Sequence, residues 1–156
     1  MKYIGTVLAV DDIKLSRKFY EEIFGLEVCQ DYGINISFTC GLSLQESFDW
    51  LVDIPKEKIL KQTNNMELYF ETEDLDAFVE ILQKRSDIDI VNEVKEYPWG
   101  QRVIRLYDLD KHIIEVGENM LLVIQRFLDS GLTKEQTAER MNLPLEELEK
   151  LIIFYK

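Results

Sequence analysis

The chain spells out one order of secondary-structure signals twice, and this repetition limits its fold more than any other property of the sequence. In the first pass, residues 3–10 read as a strand, and Asp11 and Asp12 supply a helix N-cap. Ile13, Leu15, Phe19, Tyr20, Ile23 and Phe24 then recur at helical spacing, and Gly25 closes the helix. Short strands follow at 26–30, 35–39 and 42–46, separated by Gly33 and Gly41. In the second pass, 67–72 is a strand, Glu73 and Asp74 cap a helix carrying Leu75, Phe78, Val79, Ile81 and Leu82, and strands follow at 88–94, 102–107 and 112–116. Asp12 and Ile13 match Asp74 and Leu75 at an offset of 62, and Leu42 to Leu44 match Ile114 to Val116 at an offset of 72. A duplicated β-α-β-β-β unit predicts an α+β fold built from residues 1–46 and 66–118, joined by a connector at 47–65.

Residues 119–156 leave this pattern and read as a helical C-terminal extension. An amphipathic helix runs over 120–128 and ends before Gly131. Thr133 and Gln136 have the spacing of a capping box for a second, and Pro144 opens a third that continues to Tyr155. The cadence is that of a helix-turn-helix, but the last helix carries Glu146, Glu147 and Glu149 where a DNA reader needs basic and amide groups. Its stripe of Leu143, Leu145, Leu148, Leu151 and Ile152 points instead to packing or dimer formation.

The charge balance removes several classes of partner. Thirty acidic side chains against 18 basic ones leave a formal net charge of −12, a field that repels nucleic acid and anionic membranes. No run approaches the roughly 18–20 apolar residues of a membrane span. The N-terminal apolar run is too short for a signal peptide. Cys29 and Cys40 form no CxxC motif and have no activating neighbour in sequence, so both read as structural thiols of a reducing, cytoplasmic compartment. His112 is the single histidine, which argues against His-rich zinc sites and a Ser-His-Asp triad. It falls out of phase with Glu115, so it is expected at the surface or against a helix.

The chemistry of the chain concentrates around Glu115. A Tyr107-to-Asp110 turn leads into an apolar strand that sets this carboxylate among Ile113, Ile114 and Val116. Burying a charge there costs several kcal/mol unless it is paired or metal-bound. A second acid, Glu67, stands on the first strand of the second unit, and two acids brought onto facing strands repel unless a cation or proton separates them. A hard divalent ion, a guanidinium and a shared proton are the three solutions. Arg105 can supply the guanidinium, because Ile104 and Leu106 mark the core face of its strand while Gln101, Arg105 and Tyr107 share the opposite one. Tyr69 and Glu71 follow Glu67 at period two. Trp99, between Pro98 and Gly100, is either an aromatic at a pocket lip or part of a packed hairpin loop.

The paired βαβββ units, with Val7 to Ile13, the helix through Phe19 and Tyr20 to Phe24, Gly25 and Leu26, and then Tyr107 to Asp110 and Ile114 to Val116, resemble the vicinal oxygen chelate superfamily. That superfamily includes glyoxalase I, bleomycin- and fosfomycin-resistance proteins and extradiol dioxygenases. The likeness covers residues 1–118 and implies two units that pair into a curved mixed sheet forming a cup, often around a divalent metal, closed within one chain or across a homodimer.

The resemblance also implies ligand positions on the first and last strands of each unit. Here those fall on Gly5, which has no side chain, on Ser43 with Gln45 on the same face, on Glu67 and on Glu115. The turn departs from the usual Asp-Pro-Asp-Gly and ends in Lys111. These departures imply a small-molecule-binding protein with a degenerate metal site, in which Gln45, Tyr69, Trp99, Gln101 and Arg105 contact the ligand. The alternative is a divalent-metal-dependent lyase or isomerase of the glyoxalase type, in which a weakly held metal sits on Glu67 and Glu115 and one of these acids moves a proton. No nucleic-acid or membrane partner is expected.

Overall fold

The computed structural model describes residues 1–154. Contacts divide these into two compact units, one comprising Met1–Met66 with Tyr107–Ile113, the other Glu67–Leu106 with the residues from Ile114 onward. Each unit holds a four-stranded sheet and the helix inserted after its first strand, so the chain is α+β and the duplicated order is real.

In the first unit the strands are β1 (Thr6–Val10), β2 (Val28–Asp31), β3 (Asn35–Phe38) and β4 (Leu42–Glu46), ordered β1-β4-β3-β2. β1 runs parallel to β4, with Thr6 opposite Leu42 and Ala9 opposite Gln45. β3 is antiparallel to both β4 and β2, and the β2 register slips between Val28 and Gln30. The helix α1 (Ile13–Phe24) begins where the Asp12 carboxylate accepts from the amides of Lys14 and Leu15, and ends at Gly25 in the left-handed region at φ 63°. Its apolar face places Ile13, Phe19, Tyr20 and Ile23 over Leu8, Val10, Ile36, Phe38 and Leu44 as the buried core. The connector forms α2 (Phe48–Val52) and a 3-10 turn at Lys56–Lys58, and leaves Trp50 exposed.

Gly5 has a steric reason of its own. The Gly41 carbonyl accepts from the Thr6 amide at 3.0 Å, which draws the start of β1 against the β3–β4 turn. A Cβ on Gly5 would overlap the Gly41 oxygen. The position to which the resemblance assigns a ligand therefore has no room for a side chain.

The turn that follows Tyr107 counts with the first unit and is tied to α1. Asp108 and Asp110 are both 4% exposed. Tyr20, fully buried, donates its hydroxyl to Asp108 Oδ2 at 2.8 Å, and the Ser16 hydroxyl and the Asp11 amide donate to Asp110. Lys111, standing where the usual turn has glycine, takes φ 69°.

The second sheet is ordered β5-β8-β7-β6, from β5 (Glu67–Thr72), β6 (Asp89–Glu96), β7 (Arg102–Tyr107) and β8 (Ile113–Glu118). The helix α3 (Leu75–Gln83) starts at Asp74, whose carboxylate accepts from the Ala77 amide. After β8 come α4 (Met120–Asp129), α5 (Lys134–Arg140) and α6 (Leu145–Phe154). The expected end of the last helix at Tyr155 lies outside the described residues. The capping box forms as its spacing predicts, with Thr133 and Gln136 each accepting from the other's backbone amide. Val123, Ile124, Ala138, Met141 and Leu148 make the core of this helical part, with Leu143, Leu151 and Ile152 packed against it. Arg126 fastens it to the sheet by donating to Glu118 Oε1 at 2.8 Å and to the Gly100 carbonyl. Gly100 is required here, since a Cβ would run into the Phe127 ring. Among the described residues, no helix is long and apolar enough to cross a membrane.

Candidate functional site

Strand alternation on β7 and β8 brings Arg105 and Glu115 to one face of the second sheet. Arg105 Nη2 forms an ion pair with Glu115 Oε2, Nε donates to Glu67 Oε2 at 3.0 Å, and Nη1 donates to the Tyr97 hydroxyl at 2.6 Å. Glu115 is 8% exposed. Its Oε2 takes the ion pair and no aligned hydrogen bond. Glu67 is open to solvent.

Burial raises the Glu115 carboxyl above its ordinary range; the Arg105 charge opposes this and the Glu67 charge adds to it. For Arg105, burial pulls the other way. The hydrogen bonds to Glu67 and Tyr97 and the charges of Glu115 and Glu67 outweigh burial and leave the guanidinium above its ordinary value. A permanent cation thus sits between the two carboxylates, which is one of the three solutions the sequence allows.

Aromatic side chains continue the same face. Tyr97 stacks on Trp99 with ring centroids 4.7 Å apart and planes 24° from parallel, and the Arg105 guanidinium lies 5.4 Å from the Tyr97 centroid. Trp99 Nε1 donates to Gln101 Oε1 at 3.1 Å, and Gln101 Nε2 donates to the Tyr69 hydroxyl and to the Glu118 carbonyl, both at 2.8 Å. Tyr69 donates in turn to Glu71 at 2.8 Å. Burial, followed by the neighbouring acids, pushes the Tyr69 hydroxyl well above its usual range, against the Gln101 hydrogen bond. Tyr69 and Trp99 remain 49% and 37% exposed, so their rings are available to a ligand.

Glu67, Tyr69, Trp99, Gln101, Arg105 and Glu115 therefore share one connected network. Gln45 lies in the first unit and is 2% exposed. Its amide accepts from Asn35 Nδ2 at 2.9 Å and donates to the Glu46 carbonyl at 2.6 Å. Ser43 shares a 2.8 Å hydrogen bond with Ser37. Tyr97, absent from the expected set, is a member of the network. Its signal was its place at the mouth of the Pro98–Gly100 turn, where Tyr97 and Gln101 bond across the hairpin.

The donor set does not fit a divalent ion. Among the described residues no group of three or more His, Cys, Asp or Glu side chains is placed to hold one. The two carboxylates that the second unit offers are already bound to one guanidinium, and a metal would have to displace it against like charge.

The chain matches the glyoxalase-like domain family over residues 3–121. A comparison with curated proteins gives no match. Among solved structures, a protein of unknown function from Agrobacterium tumefaciens is 32% identical with a TM-score of 0.66, the match covering 76% of this chain and 94% of that one. A glyoxalase/bleomycin resistance protein/dioxygenase family enzyme from Burkholderia phytofirmans has a TM-score of 0.66 at 12% identity, covering 76% and 98%. A lactoylglutathione lyase from Agrobacterium tumefaciens has a TM-score of 0.55 at 23% identity, covering 77% and 95%. With three-quarters of its length matched by the family and its βαβββ order present twice, this chain belongs to the glyoxalase-like domain family.

Proposed function

We propose that the chain is a small-molecule-binding member of its family in which Arg105 has taken over the role of a metal. The observation that carries this reading is the guanidinium held by Glu67, Glu115 and Tyr97 beside the half-exposed rings of Tyr69 and Trp99. A fixed cation neutralises the buried carboxylate without ligand exchange, so the site keeps its shape but has no open coordination position for a substrate oxygen. The aromatic rings supply a flat apolar wall, and Gln101 and Glu67 supply polar edges.

A metal-dependent lyase or isomerase is the second reading. It draws on the raised Glu115 carboxyl, since a carboxyl held above its ordinary range keeps its proton longer and is the better proton carrier. On this reading the metal would have to replace Arg105. Cytoplasmic residence, in keeping with two exposed free thiols at Cys29 and Cys40, and a homodimer complete the proposal.

Fluorescence of Trp99 in a Trp50→Phe background tests binding, with naphthol as a planar uncharged probe. Saturable quenching that weakens on Tyr69→Ala supports the reading. Quenching that never saturates, or that ignores Tyr69, overturns it.

A further inference from the structure

The first unit holds a second polar centre that the Arg105 network does not use. His112 Nδ1 lies 2.8 Å from Asp108 Oδ2, and the His112 amide donates to Asp108 Oδ1 at 2.8 Å. The Asp108 carboxylate also accepts from the Tyr20 hydroxyl and from the Asp110 amide at 3.0 Å. Every group around this carboxylate is a donor, so in the neutral ring Nδ1 carries the proton and Nε2 is left as an acceptor. Nε2 has no partner among the described residues.

His112 stands where two adjoining cavities meet. Their volumes are about 400 and 300 Å³, and both are lined by Ala9, Phe48, Ile59, Leu60, Lys61 and His112. The wall that the two cavities share is apolar apart from His112 and Lys61, and the Lys61 ammonium is occupied by Asp11 and Asp110. The larger cavity is lined by Asp11, Glu46, Asp49 and Asp110 against Lys56 and Lys61, and the smaller adds Lys58 and Lys111, so four carboxylates face four ammonium groups and the cleft has no net charge to draw an ion.

We infer that this cleft is a binding site for a small uncharged molecule with an apolar body and one hydroxyl, which it donates to His112 Nε2. Asp108 is the positioning residue: it fixes the tautomer and the ring, while Tyr20 and two backbone amides fix Asp108. The ligand's body lies against Phe48, Ile59 and Leu60. This site is independent of the Arg105 network and stands or falls without it.

His112 is the single histidine of the chain, so its ring nitrogens give one unambiguous pair of nitrogen resonances. Phenol is the probe, titrated into the full-length protein with these resonances followed by NMR. The expected result is a protonated Nδ1, an unprotonated Nε2, and a saturable shift of Nε2 on adding phenol. Leu60→Trp fills the cleft from an exposed position and should weaken phenol binding several-fold while the fold is kept. An Nε2–H tautomer, no saturable shift, or a response unchanged by Leu60→Trp would overturn the inference. Cyclohexanol and benzoate as further probes separate hydroxyl recognition from mere apolar filling and from anion binding: a benzoate response equal to that of phenol contradicts it.

Discussion

Arg105 bridges to Glu115 on the neighbouring strand and, through its Nε, to Glu67, so one guanidinium answers for two carboxylates. The pairing makes Arg105 indispensable in a way that Glu115 is not. Arg105→Met leaves a buried carboxylate with no cation and a second acid nearby, at an expected cost of about 2–3 kcal/mol, reduced from the fully buried case because Arg105 keeps some solvent. Glu115→Gln keeps the shape, leaves Arg105 with Glu67 and Tyr97, and should cost less. The double variant should recover most of the Arg105→Met loss. Unfolding midpoints of the four proteins measure the coupling, and additive losses would separate the two residues.

Two acids of β8 should pull stability in opposite directions with pH. The Glu115 carboxyl is raised in the folded state, so the native protein holds its proton longer than the unfolded chain. Its contribution is greatest below the ordinary glutamate value and is lost as pH rises through the raised one. For Glu118, burial raises the carboxyl but the hydrogen bonds from Arg126 and Arg102 outweigh burial and lower it. Its contribution is present above the ordinary value and is lost as pH falls through the lowered one. Glu115→Gln should therefore flatten the decline on the high side of the glutamate range, and Glu118→Gln should remove part of the loss in acid. Denaturation profiles across pH test both, and identical profiles for the two variants would contradict the assignment.

Restoring a ligand at the first-strand position should fail for a steric reason. Gly5→His puts a Cβ into the Gly41 carbonyl and should destabilise by about 2 kcal/mol or more without creating metal affinity. A stable Gly5→His protein that binds zinc would show that β1 can move away from the β3–β4 turn.

The large features were legible because local signals agreed with one another. Asp12 and Asp74 cap, Gly25 stops, and the strands alternate, so both βαβββ units could be read directly. Arg105 was legible for the same reason: period two on β7 opposes it to Ile104 and Leu106. Strand ends shifted by a few residues, as at β6, which continues to Glu96 through its hairpin with β7. Tyr97 was legible only by its place beside the Pro98–Gly100 turn, because its hydroxyl reaches Arg105 across a register that the hairpin sets. His112 was expected at the surface or against a helix, and its pairing with Asp108 was not legible for another reason. Strand phase turned it away from Glu115, but its partner Asp108 lies four residues back, brought there by a turn in which Lys111 adopts a left-handed conformation. The Asp108 bond to Tyr20 spans 88 positions and has no local signal at all.

The most direct measurement is the metal content of the full-length protein purified without chelator, together with the unfolding midpoint in added Mg²⁺, Mn²⁺ or Zn²⁺. With Arg105 as the resident cation, no divalent ion should accompany the chain in stoichiometric amount, and none should raise the midpoint. One tightly held divalent ion per chain, lost on Glu115→Gln, would contradict the account.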